Sequence, residues 1–204
     1  EEVNALKKQQ DGDYFLTSLL THPLGSNKAQ GANLNVDVLL EQKKKFEFRK
    51  WARDIGGDTC ITSSVTLKGK PHTVFLNADA MGKSMQGAGG ILVLGSVFHS
   101  VIERTKLSPK EADVFPEHWL KYTFVELHRV FEVFDGSMLI SLVMGLIDDE
   151  SGLMYYINAE HPWSVLYRQG KAEFIEKELV LRKLGTQGVA GQIEVCTLQL
   201  EPKD

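Results

Sequence analysis

Two alternating runs around one turn constrain this chain more than anything else in it. Ile61, Ser63, Val65 and Leu67 alternate with Thr62, Ser64 and Thr66. Lys68-Gly69-Lys70-Pro71 supplies the turn, and Val74, Leu76 and Ala78 return with the same period. A period of two is a strand signature, and a short glycine-containing connection makes the pair an antiparallel hairpin. Such a hairpin sets Asp58, which follows Gly56-Gly57 at the head of the first strand, beside Asp79 at the tail of the second. Two ionised carboxylates ~4 Å apart repel by about 4 kcal/mol at an effective dielectric of 20, so a cation, a shared proton or a basic neighbour must offset them. All-oxygen surroundings favour Mg²⁺ or Mn²⁺ over zinc. The plainer alternative is that Asp58 merely follows a glycine turn and Asp79 caps the next helix.

That helix follows Ala80-Met81-Gly82-Lys83-Ser84 and runs from Ser84 to about Thr105, apolar on nearly every side. Such a helix is buried. Gly87, Gly89 and Gly90 each cost it about 1 kcal/mol, which is tolerable where a neighbouring backbone must come close. Gly82-Lys83-Ser84 has the ending of a nucleotide-binding P-loop, but Asn77 stands where that loop needs glycine, and Asp79 would repel a phosphate. A second helix is expected from Pro116 to Phe134, with Leu120, Phe124, Leu127, Phe131 and Phe134 as its apolar stripe. Strands at 138–147, 153–159, 164–168, 172–175 and 193–200, separated by short turns, read as an antiparallel meander. Asn158-Ala159-Glu160-His161-Pro162 lies where one of them turns into the next. His161 reads as a turn histidine held by hydrogen bonds, with a general acid or an anion contact as the alternative.

The N-terminal 20 residues carry a weak heptad-like spacing (Val3, Leu6, Gln10, Leu16, Leu20) broken by Asp11-Gly12-Asp13, as at the end of a longer helix from an upstream module. Residues 22–35 read as a loop, 36–45 as a short helix or strand, and 46–52 as one strand. The domain division is therefore 1–45, an N-terminal helical linker or regulatory segment, and 46–204, the domain proper. A net charge of −4 argues against nucleic acid as a partner. The basic run Lys43-Lys44-Lys45 is interleaved with Glu41 and Glu47 and reads as a solvated face. Cys60 and Cys196 are too few for a disulfide framework or a zinc site. No apolar run approaches the ~20 residues of a membrane span, and no signal peptide is visible. The expectation is a cytoplasmic chain, or the cytoplasmic part of a membrane-anchored sensor.

Gly56-Gly57-Asp58, Asp79-Ala80-Met81-Gly82-Lys83, the small-residue helix behind them, Asn158-Ala159-Glu160-His161-Pro162 and Lys183-Leu184-Gly185 together resemble the SpoIIE-type branch of the metal-dependent (PPM, type 2C-like) serine/threonine phosphatases of bacteria. The likeness runs from about Phe46 to Asp204. It implies an α+β fold, a PPM-type α-β-β-α sandwich of two antiparallel sheets flanked by helices. It also implies a two-metal Mn²⁺ or Mg²⁺ site whose activated water attacks phosphoserine or phosphothreonine without a phosphoenzyme. Carried over, Asp58 and Asp79 are implied as catalytic metal ligands and the Ala80 backbone carbonyl as a further ligand. The wider superfamily usually has glycine at the Ala80 position, a mild departure if only the carbonyl is used. Family members carry a further acid, in an Asp-Gly motif, on a strand beyond the point where this sequence stops. The resemblance therefore implies a domain whose last strands are missing, with weak metal binding and little activity. Its implied partners are a phosphorylated regulatory protein of the anti-sigma-factor antagonist type and an upstream sensor domain, with a homodimer through the N-terminal helix as a further expectation. The competing reading is a non-catalytic PPM-like regulatory or docking domain.

Overall fold

A computed structural model describes residues 2–188 and 193–204. The hairpin forms as its alternation predicts. β3 (Asp58–Leu67) and β4 (Lys70–Ala80) pair antiparallel from Leu67↔Lys70 at the turn to Asp58↔Asp79 at the mouth. Lys68 and Gly69 both take left-handed conformations (φ 50° and 77°), the backbone that a tight two-residue hairpin turn requires. β5 (Ile140–Asp148), β6 (Leu153–Ala159) and β9 (Cys196–Gln199) extend the sheet in the order β3-β4-β5-β6-β9, antiparallel throughout. The remaining strands among the described residues form two hairpins, β1 (Lys44–Phe48) with β2 (Trp51–Ile55), and β7 (Val165–Arg168) with β8 (Lys171–Phe174).

One face of the five-stranded sheet is covered by helices. Val74, Leu76 and Ala78 of β4 and Ile140, Leu142, Met144 and Leu146 of β5 are fully buried against α2 (Met85–Leu107) and α4 (Pro116–Glu132). Each large side chain buried there contributes about 1.5–3 kcal/mol, so this face holds the fold together. Trp119 of α4 donates its indole N–H to Thr105 Oγ1 of α2 at 2.8 Å, tying the two helices. α3 (Pro109–Ala112) is the short link between them. The expected stripe of α4 is buried through Phe131, but the helix ends at Glu132 and Phe134 lies beyond it.

By length and composition α2 is apolar enough to cross a membrane, contrary to the expectation that no run comes near that limit. Much of its apolar surface lies in the core: Ile91, Leu94, Phe98, Val101 and Ile102 are buried there. Its glycines divide by role. A Cβ on Gly87 would meet Gly57 Cα at 2.8 Å and Gly82 O at 2.9 Å, and one on Gly90 would meet Ala80 Cβ at 2.8 Å. One on Gly89 would meet nothing within 4 Å. Close approach thus accounts for two of the three.

Two expectations near the N-terminus are corrected. Asp11-Gly12-Asp13 does not break the helix, because α1 runs unbroken from Glu2 to Thr21. A Cβ at Gly12 would sit 3.3 Å from the Phe48 ring, so the glycine lets the helix lie against β1. The single strand expected at 46–52 is instead the β1–β2 hairpin, reversed at Arg49 (φ 56°). α1 docks on it through Tyr14 against Phe46 (ring centroids 5.6 Å apart) and Phe15 stacked on Phe48 (5.2 Å). Residues 36–43 form neither helix nor strand.

Candidate metal centre

The mouth of the β3–β4 hairpin is built from glycine outward. Ala80 N–H donates to Gly57 O at 2.8 Å, which makes Gly57 and Ala80 a hydrogen-bonded pair. The next pair, Asp58↔Asp79, is then a non-hydrogen-bonded one, the kind that brings opposite side chains closest. Alternation decides their direction. Ala78 and Ala80 face the helices, so Asp79 and its partner Asp58 project from the opposite face, where both are exposed. Gly57 is buried, and a Cβ there would lie well under 3.0 Å from the Ala80 carbonyl oxygen. Only glycine lets that carbonyl sit against the turn leading into Asp58.

Partial burial, and then the Asp79 charge, raise the Asp58 carboxyl above its ordinary 3.8. No lysine or arginine forms an ion pair with either acid among the described residues. The repulsion expected from the sequence is therefore present, and side-chain cations do not offset it.

The row of polar groups continues on β5. Ser141 is the register partner of Asp79 on its other side, and its hydroxyl is 3.2 Å from His161 Nδ1. The turn holding His161 is tightly built. Asn158 Oδ1 accepts from His161 N–H at 2.9 Å, and Glu160 takes a left-handed backbone (φ 53°). The Glu160 carboxylate accepts from Lys183 N–H at 3.1 Å and pairs with Arg182 at 3.3 Å. Burial holds the His161 pKa below its ordinary 6.5, and Asp79 pulls the other way. The hydrogen-bonded turn histidine expected from the sequence is thus found, within electrostatic reach of the acid pair. Lys183-Leu184-Gly185 braces the same end of the sheet: Leu184 is fully buried and bridges Ile140, and Gly185 has φ 83° with Met138 O 2.8 Å from where a Cβ would be.

Sequence reasoning missed two residues here. Ser141 becomes visible only once the β4–β5 register is known. Gln42, in the irregular stretch before β1, donates from Nε2 to Asp58 O at 2.6 Å and accepts from Asp58 N–H at 3.4 Å. Nothing in its neighbourhood in the sequence marks it.

Among the described residues no group of three or more His, Cys, Asp and Glu side chains could hold a metal ion. Two carboxylates and the Ala80 carbonyl remain as donors. An all-oxygen set leaving most positions to water fits a hard divalent cation such as Mg²⁺ or Mn²⁺ and does not fit zinc.

A five-stranded antiparallel sheet backed by helices on one face makes this an α+β fold. The family model described as Stage II sporulation protein E (SpoIIE) matches residues 69–204, well over half of the chain, and the chain belongs to that family. Asp79 and Ala80 lie inside the matched region, and Asp58 precedes it. Among solved structures, the RsbU and RsbW domains of Rv1364c from Mycobacterium tuberculosis match with a TM-score of 0.51 at 19% identity, over 72% of this chain and 36% of that one. The PP2C phosphatase domain with a fragment of the regulatory domain of the cell fate determinant SpoIIE from Bacillus subtilis matches with a TM-score of 0.47 at 14% identity. That match covers 72% of this chain and 39% of that one. The chain thus aligns with well under half of either structure. No curated protein matches the chain.

Proposed function

We propose that this domain hydrolyses phosphoserine or phosphothreonine on a regulatory protein, using a divalent cation held at the Asp58/Asp79 mouth. The observation that carries the reading is the juxtaposition of two like charges, side by side on the face opposite α2 and α4, with no lysine or arginine paired to either among the described residues. Asp58, Asp79 and the Ala80 carbonyl would hold Mn²⁺ or Mg²⁺, and the bound cation supplies an activated water and charge neutralisation for attack on phosphorus. The protein's own part is positional. Gly57 and Gly87 let strand, turn and helix close around the mouth, and the sheet register fixes the two carboxylates relative to each other. Ser141 and His161 set a polar, hydrogen-bonded wall beside them.

Family membership supports the phosphatase class. The substrate best fitting that membership is a phosphorylated anti-sigma-factor antagonist, with an upstream sensor acting through residues 1–45 and a cytoplasmic setting. The exposed apolar residues Val3, Leu6, Leu16 and Leu20 on α1 support a homodimer contact there. A second reading, a phosphoprotein-docking domain without turnover, is favoured by the absence of a third acidic ligand among the described residues. Phosphate release from a serine-phosphorylated antagonist by the full-length protein, measured with and without Mn²⁺, separates the two. Turnover that needs Mn²⁺ and is abolished in Asp79→Asn supports the enzyme. Binding of the phosphoprotein without phosphate release supports docking. Undiminished turnover in Asp79→Asn would remove Asp79 from the metal role.

A further inference from the structure

β3 is an edge strand, and its free edge is the side that carries the outward-facing backbone groups of Asp58, Cys60 and Thr62. The N-terminal segment satisfies both groups of one of these positions. Thr62 N–H donates to Ser26 O at 2.9 Å and Thr62 O accepts from Lys28 N–H at 3.1 Å, a short stretch of parallel ladder. At Asp58 no backbone among the described residues bonds to the edge, and the side chain of Gln42 takes the place of one. Its carboxamide pairs with both groups of Asp58, donating to the carbonyl and accepting from the N–H. This complementarity fixes which end of the amide is nitrogen.

Gln42 is itself held. Its backbone N–H donates to Asp54 Oδ2 at 3.2 Å, and the residue is only 8% exposed. Gly56 makes room for it, since a Cβ there would lie well under 3.0 Å from Gln42 Oε1. A buried glutamine, a glycine cut to fit it and a two-way pairing with one peptide unit amount to a built contact rather than a passing one.

We propose that Gln42 is a positioning residue for the metal centre. It holds the Asp58 peptide unit at the end of an edge strand, where the ladder has run out, and so fixes the Asp58 carboxylate opposite Asp79. The inference rests on the reading of Asp58 as a metal ligand. Strand ends fray when unpaired, and a ligand on a fraying end binds more weakly because each binding event must first order it.

The test is direct Mn²⁺ binding by the full-length protein, read from the electron paramagnetic resonance signal of free Mn²⁺, together with hydrogen exchange of the Asp58 amide. Gln42→Met keeps length and packing and removes both hydrogen bonds. Mn²⁺ affinity is expected to fall about tenfold, the size typical of losing a partner behind a ligand, and the Asp58 amide to exchange faster. Gly56→Ala, which displaces the same carboxamide from the other side, is expected to do likewise and serves if Gln42→Met does not fold. Asp58→Asn is the reference. If Asp58→Asn loses Mn²⁺ while a folded Gln42→Met or Gly56→Ala protein binds within twofold of wild type, the positioning role is overturned and the metal reading stands. Should Asp58→Asn bind Mn²⁺ like wild type, both are overturned.

Discussion

The two ends of the β3–β4 hairpin are made from the same strands and treat charge in opposite ways. At the turn, Lys68 reaches Asp113 at 2.8 Å and Lys70 lies 3.8 Å from Asp148, so each cation has an acid. Burial pushes Asp148 up, yet the backbone N–H groups of Ser151 and Glu150, His72 and the Ser151 hydroxyl together hold it below its ordinary value. At the mouth, two acids face each other with no lysine or arginine paired to either among the described residues, and Asp58 moves the other way. Glycine differs as well. Gly69 at the turn is there for its backbone angle and has open space around it, whereas Gly57 at the mouth is there because nothing larger fits. One end is relaxed and the other is frustrated, and frustration within a consistent fold marks where function is placed.

A pair of matched substitutions sharpens this contrast. Gly57→Ala drives a methyl into backbone, the Ala80 carbonyl, which cannot turn aside as a side chain can. It is expected to cost about 3 kcal/mol, the upper part of the overpacking range, and to abolish Mn²⁺ binding. Gly69→Ala meets no atom and is strained only by its left-handed backbone (φ 77°), so about 1 kcal/mol is expected and no change in Mn²⁺ affinity. Urea unfolding of both proteins measures the difference. Equal costs would show that the mouth is no more tightly packed than the turn.

The sequence made the hairpin and its register readable because period-two burial leaves few ways to slide the strands. A one-residue slip would send Ile61, Val65, Leu76 and Ala78 to the wrong face. Asp58 and Asp79 followed from that register. The α1 helix and the β1–β2 hairpin depart from expectation for separate reasons. Gly12 looks like a breaker locally, but tertiary contact with the Phe48 ring decides it. Arg49 turns the chain in a left-handed conformation without the usual glycine or asparagine signal. Gln42 was illegible because its role depends on a strand edge 16 positions further along the chain. No local pattern announces a side chain that stands in for a missing strand.

The smallest expected effect tests whether the acid pair is a liability when no metal is present. Asp58→Asn removes one of two facing charges at an exposed position, so solvent screens the gain to about 0.5 kcal/mol. The sign follows from the direction of the shift. Because folding raises the Asp58 pKa above 3.8, the folded state holds its proton where the unfolded chain has released it. Wild type therefore loses stability relative to Asp58→Asn as pH rises from 3.8 through the raised value. Below that window the carboxyl is neutral in both states and the difference vanishes. Thermal unfolding in a chelating buffer across this range should show the variant slightly more stable at neutral pH and level with wild type in acid. Saturating Mn²⁺ should reverse the order, since a ligand at about 100 times its Kd adds ~2.7 kcal/mol to the protein that binds it. Were wild type the more stable protein without metal, Asp58 would be held by favourable contacts. The mouth would then resemble the turn, and the case for a cation site there would fall.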